Sequence, residues 1–158
     1  LTTDITASKL EPYDAKAPRA LVVFSGQTDL SWLRVLRPGY RHCFVLIECA
    51  PLYDENVGGG WVLYNPLSNA TQIAVWALRD EQTVRAWLSE QGYTVVETYV
   101  RPLTARVLPW RPFTCVEAVK RALGLHEHKV FTPYQLYKIL KKDNYMKKVL
   151  DISVGLGY

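Results

Sequence analysis

Three cysteines, three histidines and one methionine are all the thiol, imidazole and thioether chemistry in this 158-residue chain. An odd cysteine count leaves at least one thiol unpaired. Cys43 and Cys49 lie six residues apart in an apolar run that reads as a strand, which sets their Cα atoms about 20 Å apart. A disulfide needs Cα atoms within about 7 Å. A disulfide-stapled scaffold is therefore excluded, and the expected location is a reducing compartment, the cytoplasm, including that of a host cell for a viral protein. CxxC and HExxH spacings are missing, and the pair His126 and His128 after a helix-ending glycine reads as a polar loop, so no metal and no cofactor are expected. No apolar run approaches the roughly 18 residues of a membrane-spanning helix. Basic residues exceed acidic ones by only four. Lys141, Lys142, Lys147 and Lys148 cluster near the C-terminus and read as a solvated helix face, which leaves nucleic-acid binding the weakest functional reading. The chain opens Leu1-Thr2-Thr3 without a methionine, as a processed product does, and no signal peptide is read in it.

Against these shortages, aromatics are plentiful: five Trp, ten Tyr and four Phe. A hydrophobic share of 49% with 22% charged residues is that of an ordinary globular protein. A chain of this length buries about 70% of its unfolded surface. The expectation is a single domain over 1–158, with a polar, proline-containing arm at 1–18 and a catalytic-type domain at 19–158. Apolar or alternating runs at 20–24, 40–49, 60–64, 71–78 and 93–100 read as strands. The stretch 51–60, with Asp54-Glu55-Asn56 and three glycines, reads as a hairpin loop. Leu30, Leu33 and Leu36 are spaced for a helix over 28–36, closed by Pro38-Gly39. A second helix opens at Asp80 and runs to Gln91 before Gly92, with Val84, Trp87 and Leu88 as its apolar face. The segment 101–112 is a connector punctuated by Pro and Arg. Thr132-Pro133-Tyr134-Gln135 is a helix start with Thr as N-cap, Pro at N1 and Gln at N3, leading into Leu136, Ile139 and Leu140. The fold class is α+β: an antiparallel meander with packed helices.

Chemistry concentrates at Cys115. Thr114 and Glu117 form a capping-box pattern, which sets Cys115 in the first turn of a helix ending at Gly124. Unpaired N–H groups and the helix dipole favour an anion there, and a nearby cation deepens the bias toward thiolate. A histidine partner makes such a thiolate a catalytic nucleophile. His42 is the candidate. A hairpin centred near 54–56 brings the start of the 40–49 strand beside residues 65–68. Asn65 or Asn69 is then placed to accept a hydrogen bond from the imidazole and aim its other nitrogen at the thiol. By strand alternation His42, Phe44, Leu46 and Glu48 share one face, while Cys43, Val45, Ile47 and Cys49 share the other. Cys43 is thus read as core, pointing away from any site that His42 serves. Glu48 lies about 20 Å along the strand from His42, too far to act with it.

Three stretches carry a resemblance: Arg41-His42-Cys43-Phe44-Val45-Leu46, Trp61-Val62-Leu63-Tyr64-Asn65-Pro66, and the run from Thr114-Cys115-Val116-Glu117 to Leu123-Gly124. With the helix start at Thr132-Pro133-Tyr134-Gln135-Leu136, they resemble circularly permuted papain-like proteins of the NlpC/P60 superfamily, including small phage-type members. In that group a strand-borne histidine precedes a helix-borne cysteine. The resemblance implies a permuted papain-like architecture and acyl transfer through a thioester. Cys115 would be the nucleophile, His42 the base and later the acid, and Asn65 the orienting residue. The Cys115 backbone N–H would serve an oxyanion hole, with Gln27 and Tyr40 as candidates for the second donor. Trp110 is a candidate for lining a substrate groove. The substrate class implied is a peptide or peptidoglycan-like amide, with no obligate partner. Thr114 stands where family members often carry Asn or another polar residue.

Each of these residues also has an ordinary reading. A lone cysteine on an apolar helix is most often core, a strand histidine is often simply hydrogen-bonded in place, and asparagine before proline often ends a strand. A non-catalytic relative, a binding or virion-associated module that keeps the fold and uses an aromatic groove for a partner, is the alternative function.

Overall fold

In the computed structural model, the residues described are 17–28, 30–49, 59–77, 80–102 and 112–155, with side chains as far as Asn144. Five strands form one antiparallel sheet: β1 (Arg19–Ser25), β2 (His42–Cys49), β3 (Gly60–Pro66), β4 (Thr71–Trp76) and β5 (Thr94–Tyr99). Their order is β4-β3-β2-β1-β5. Three α-helices accompany them among the described residues: α1 (Glu81–Glu90), α2 (Cys115–Ala122) and α3 (Pro133–Gly155). The fold is α+β, built on a meander of β2, β3 and β4, as the patterning predicts.

β1 and β2 read as continuous apolar runs because helices cover both faces of the sheet at its centre. All five residues of 20–24 are fully buried. Ala20, Val22, Phe24, Cys43 and Val45 face α2 and α3, packing on Val116, Val119, Leu123, Leu136 and Leu140. Leu21, Val23, Phe44, Leu46, Trp61 and Leu63 face α1, packing on Val84 and Leu88. Arg19 anchors the far end of β1 by a paired contact with Glu48, its Nη2 2.7 Å and Nε 2.9 Å from the two carboxylate oxygens. Glu48 is thus committed to Arg19 and takes no part in a site at His42.

The helix ends follow local chemistry. Asp80 caps α1, its carboxylate accepting from Thr83 N–H at 2.8 Å. α1 and α2 end in the same way, with a glycine of positive φ just past the last turn, Gly92 at 79° and Gly124 at 62°. At Gly124 the backbone N–H of Leu125 donates to Lys120 O (2.8 Å) and that of Gly124 to Arg121 O (3.1 Å). These are the two hydrogen bonds of a Schellman motif. A Cβ at Gly124 would also stand 2.7 Å from Arg101 O, so the position demands glycine twice over.

Several expectations need correction. The helix over 28–36 is only a 3-10 helix, Ser31–Val35, with no buried residue and no side-chain cap at Leu30. Leucines at three-residue intervals face one way in a 3-10 helix too, and Pro38 and Gly39 leave no room to extend it. β2 begins at His42 rather than at residue 40. Tyr40 still belongs to the preceding turn, its N–H donating to Arg37 O (2.9 Å) beside Gly39 of positive φ. Trp87 of α1 stays 43% exposed, edge-on to Trp76 rather than in the core. The arm, apart from residues 17 and 18, lies outside the described residues, as does most of the loop 51–60 and of the connector 101–112. No described helix is long and apolar enough to cross a membrane.

Candidate active site

Cys115 is the first residue of α2, and Thr114 is its N-cap. The Thr114 hydroxyl accepts from Glu117 N–H at 3.3 Å. The second half of a capping box does not form. Glu117 turns instead to Arg121 Nε (3.0 Å) and Lys120 Nζ (2.8 Å). Burial pushes its carboxyl up, but those two cations win and hold it below the ordinary range. Lys120, equally buried, also donates to the carbonyls of Glu127 and Val130 at 3.0 and 3.1 Å. This polar knot fixes α2 just past its first turn, and with it the position of Cys115.

His42 is the first residue of β2, paired with Ser25 of β1. The β2–β3 ladder ends at Val45 opposite Tyr64, so the start of β2 runs free of β3. Asn65, on the same sheet face and one diagonal step away, reaches across that gap. Its Oδ1 lies 2.7 Å from His42 Nε2. The orientation of its amide follows from β4: Asn65 Nδ2 donates to Gln72 Oε1 at 3.1 Å. With that amide hydrogen spent on Gln72, Oδ1 is the atom turned to the imidazole, and His42 Nε2 must be the donor. His42 Nδ1 is then the ring atom left for the thiol. Asn69, the other candidate orienter, is exposed in the β3–β4 turn.

Cys115 is hydrogen-bonded to the side chains of both Cys43 and His42 and to the Cys43 backbone. The Cys43 thiol hydrogen bond is the largest influence and lowers its pKa. Burial opposes it, and the His42 hydrogen bond and charge add to the lowering. Together they push the Cys115 thiol down to about 4. Cys43 moves the other way: full burial, then the neighbouring Cys115, push its thiol well up. Of the two thiols, Cys115 is the one biased toward the anion and Cys43 the one biased toward keeping its proton. The expectation that Cys43 points away from the site is corrected. It is core, but on the face that α2 covers, and the Cys115 sulfur sits against it. Alternation tells which face a strand residue takes, and not which helix will cover that face.

The remaining candidates are placed as follows. Tyr40 packs on Phe24, Tyr134 and Tyr137 at ring separations of 4.9–5.7 Å, facing α3. Burial raises its phenol pKa. The side chain of Gln27 is exposed, and its backbone N–H donates to the Ser25 hydroxyl at 3.0 Å. Neither is joined to Cys115 by a hydrogen bond in the structure. Trp110 lies outside the described residues, as do the side chains of Lys147 and Lys148. All three cysteines are free thiols. No cluster of three His, Cys, Asp or Glu suited to a metal occurs among the described residues.

Sequence reasoning misses two members of the constellation, Cys43 and Gln72. Gln72 was within reach: a tight turn at 67–70, closed by Leu67 N–H to Ala70 O at 2.8 Å, pairs Asn65 with Gln72 directly. Cys43 carried no such signal. Compared with known protein families, with curated proteins and with solved structures, the chain matches none.

Proposed function

We propose that the chain is a cysteine hydrolase of permuted papain-like type, acting on an amide or ester through a thioester on Cys115. What carries this reading is one observation: a helix-terminal thiol, pushed down to about 4, is hydrogen-bonded to a histidine whose far nitrogen is held by Asn65. The order along the chain, histidine and asparagine on β2 and β3 and then cysteine on α2, supports the permuted arrangement.

The chemistry follows from the atoms. The proton of the Cys115 thiol rests on His42 Nδ1, giving a thiolate and an imidazolium whose Nε2–H is already committed to Asn65. The thiolate attacks the substrate carbonyl carbon and the carbonyl electrons move onto oxygen. The α2 N-terminus, where the Cys115 N–H points out of the helix, favours that oxyanion. As the intermediate collapses the C–N bond breaks, and His42 gives its Nδ1 proton to the leaving amine. Neutral His42 then takes a proton from water as it attacks the thioester, and Cys115 leaves as thiolate. Asn65 prevents the ring from flipping between these steps. A peptide or peptidoglycan-like amide is the substrate class we infer, on the resemblance alone.

The test is acylation by an activated ester, read by intact and peptide mass spectrometry. An acyl adduct on Cys115 that forms quickly in the wild type, slowly in His42→Ala and not at all in Cys115→Ala is the expected result. Equal acylation of Cys49 and Cys115, indifferent to His42, would sink the proposal and leave the binding-module reading.

A further inference from the structure

Among the described residues, Cys43 is a buried thiol that the reaction above leaves without a task. It is fully buried in β2 on the face that α2 covers. Cys115 packs against the core cluster that holds Cys43, beside the place where the β2–β3 ladder has ended, and the thiol and backbone of Cys43 are its hydrogen-bonding neighbours there. We propose that Cys43 is a positioning residue for Cys115, its S–H and backbone N–H both donating to the Cys115 sulfur and holding the anion in place. The proposal rests on the reading of Cys115 as the nucleophile.

The physical case is one of paired roles. Two sulfurs in contact cannot both ionise, because the second negative charge would sit against the first in a dry environment. Burial selects which one keeps the proton: Cys43, deep in the core, cannot shed it, while Cys115 at a helix N-terminus can. Cys43 is therefore the donor of the pair. A thioester carries no such charge, so the contact is strong before attack and after deacylation, and weak between. Cys43 thereby also stabilises the thiolate as it leaves. The titratable groups that act on Cys115 are Cys43 and His42, both from β2. On α2, Glu117 is engaged by Lys120 and Arg121. Tyr40, Tyr64 and Tyr137 border the same core cluster, from the turn before β2, from β3 and from α3.

The experiment is the pH profile of Cys115 alkylation by iodoacetamide, resolved by peptide mass spectrometry. It compares wild type with Cys43→Ala, Cys43→Val, Cys43→Ser and His42→Ala, each checked for folding by circular dichroism. Valine refills most of the volume that alanine leaves empty, and serine restores a donor. The expected result is a midpoint far below the free-thiol value of about 8.5 in wild type, raised by at least about one unit in the alanine and valine variants. Serine should bring it part of the way back. A low wild-type midpoint unmoved in the alanine and valine variants overturns the role of Cys43 and leaves Cys115 and His42 standing. A wild-type midpoint near 8.5 overturns the nucleophile reading and this proposal together. A measurement on the wild type alone keeps the question open to refutation if the variants do not fold. The infrared S–H stretch of Cys43 should move to higher frequency once Cys115 is alkylated, and an unmoved band overturns the proposal.

Discussion

α2 and α3 start with the same sequence signal and use it differently. At α3 the box closes on itself: Gln135 N–H donates to the Thr132 hydroxyl (3.3 Å), and Gln135 Oε1 accepts from the N–H groups of Thr132 (3.0 Å) and Phe131 (2.9 Å). At α2 only the threonine half forms, since Glu117 is drawn down the helix to Lys120 and Arg121. The Gln135 bonds take the N–H groups of the N-cap and of the residue before it, so neither start loses first-turn donors to that half of the box. What differs is the first helical residue, Pro133 without an N–H in α3 and Cys115 with one in α2. One local code thus opens one helix on a proline and the other on a thiol beside a backbone donor.

The largest expected effect on this contrast is at α2. Cys115→Ala should abolish turnover of any ester or amide substrate while the circular dichroism spectrum stays native, since alanine is small and favours helix. Cys115→Ser retaining most of the activity would disprove the nucleophile assignment. Next comes Glu117→Gln, which removes the charge partner of the buried Lys120. A cost of about 3 kcal/mol is expected in urea unfolding, the low end for a broken buried pair because Lys120 keeps two carbonyl acceptors. The conservative-looking Gln135→Glu at α3 should cost far less.

Smaller and more diagnostic is the pair Thr114→Ala and Thr132→Ala. Each should lose about 1 kcal/mol of stability with its cap. Only the first should also slow Cys115 alkylation at acid pH; equal alkylation profiles would erase the distinction between the two helix starts. Stability against pH tests the same helix start from the side of the thiol. Cys115 has a folded pKa of about 4, below its unfolded value of about 8.5. The stability it contributes is complete above about pH 8.5 and is lost as pH falls toward about 4. Cys43 is shifted the other way, so its contribution is present below about pH 8.5 and is lost as pH rises above that. The urea midpoint of wild type over Cys115→Ala should therefore shrink between about pH 8 and about pH 5.

What was readable in the chain and what was not divide along the range of the forces involved. Strand positions follow from apolar runs and alternation, the starts of α1, α2 and α3 from caps within three residues, and the stops from the positive φ of Gly92 and Gly124. The His42–Asn65 contact was readable too, because a hairpin fixes register between neighbours in sequence. The helix expected at 28–36 failed because leucine spacing alone does not separate a 3-10 turn from an α-helix when no packing partner is present.

The sequence by itself determined the α+β elements, their caps and a helix-terminal cysteine whose setting favours an anion. Only the tertiary structure decided that β1 lies between β2 and β5, that α2 lies over Cys43, and that two thiols 72 positions apart meet. The reason is physical: periodicity tells which face of an element is apolar, but not which other face will cover it. That choice belongs to the packing of the whole core, and in this chain it turns a residue that reads as inert filling into the neighbour of the candidate nucleophile.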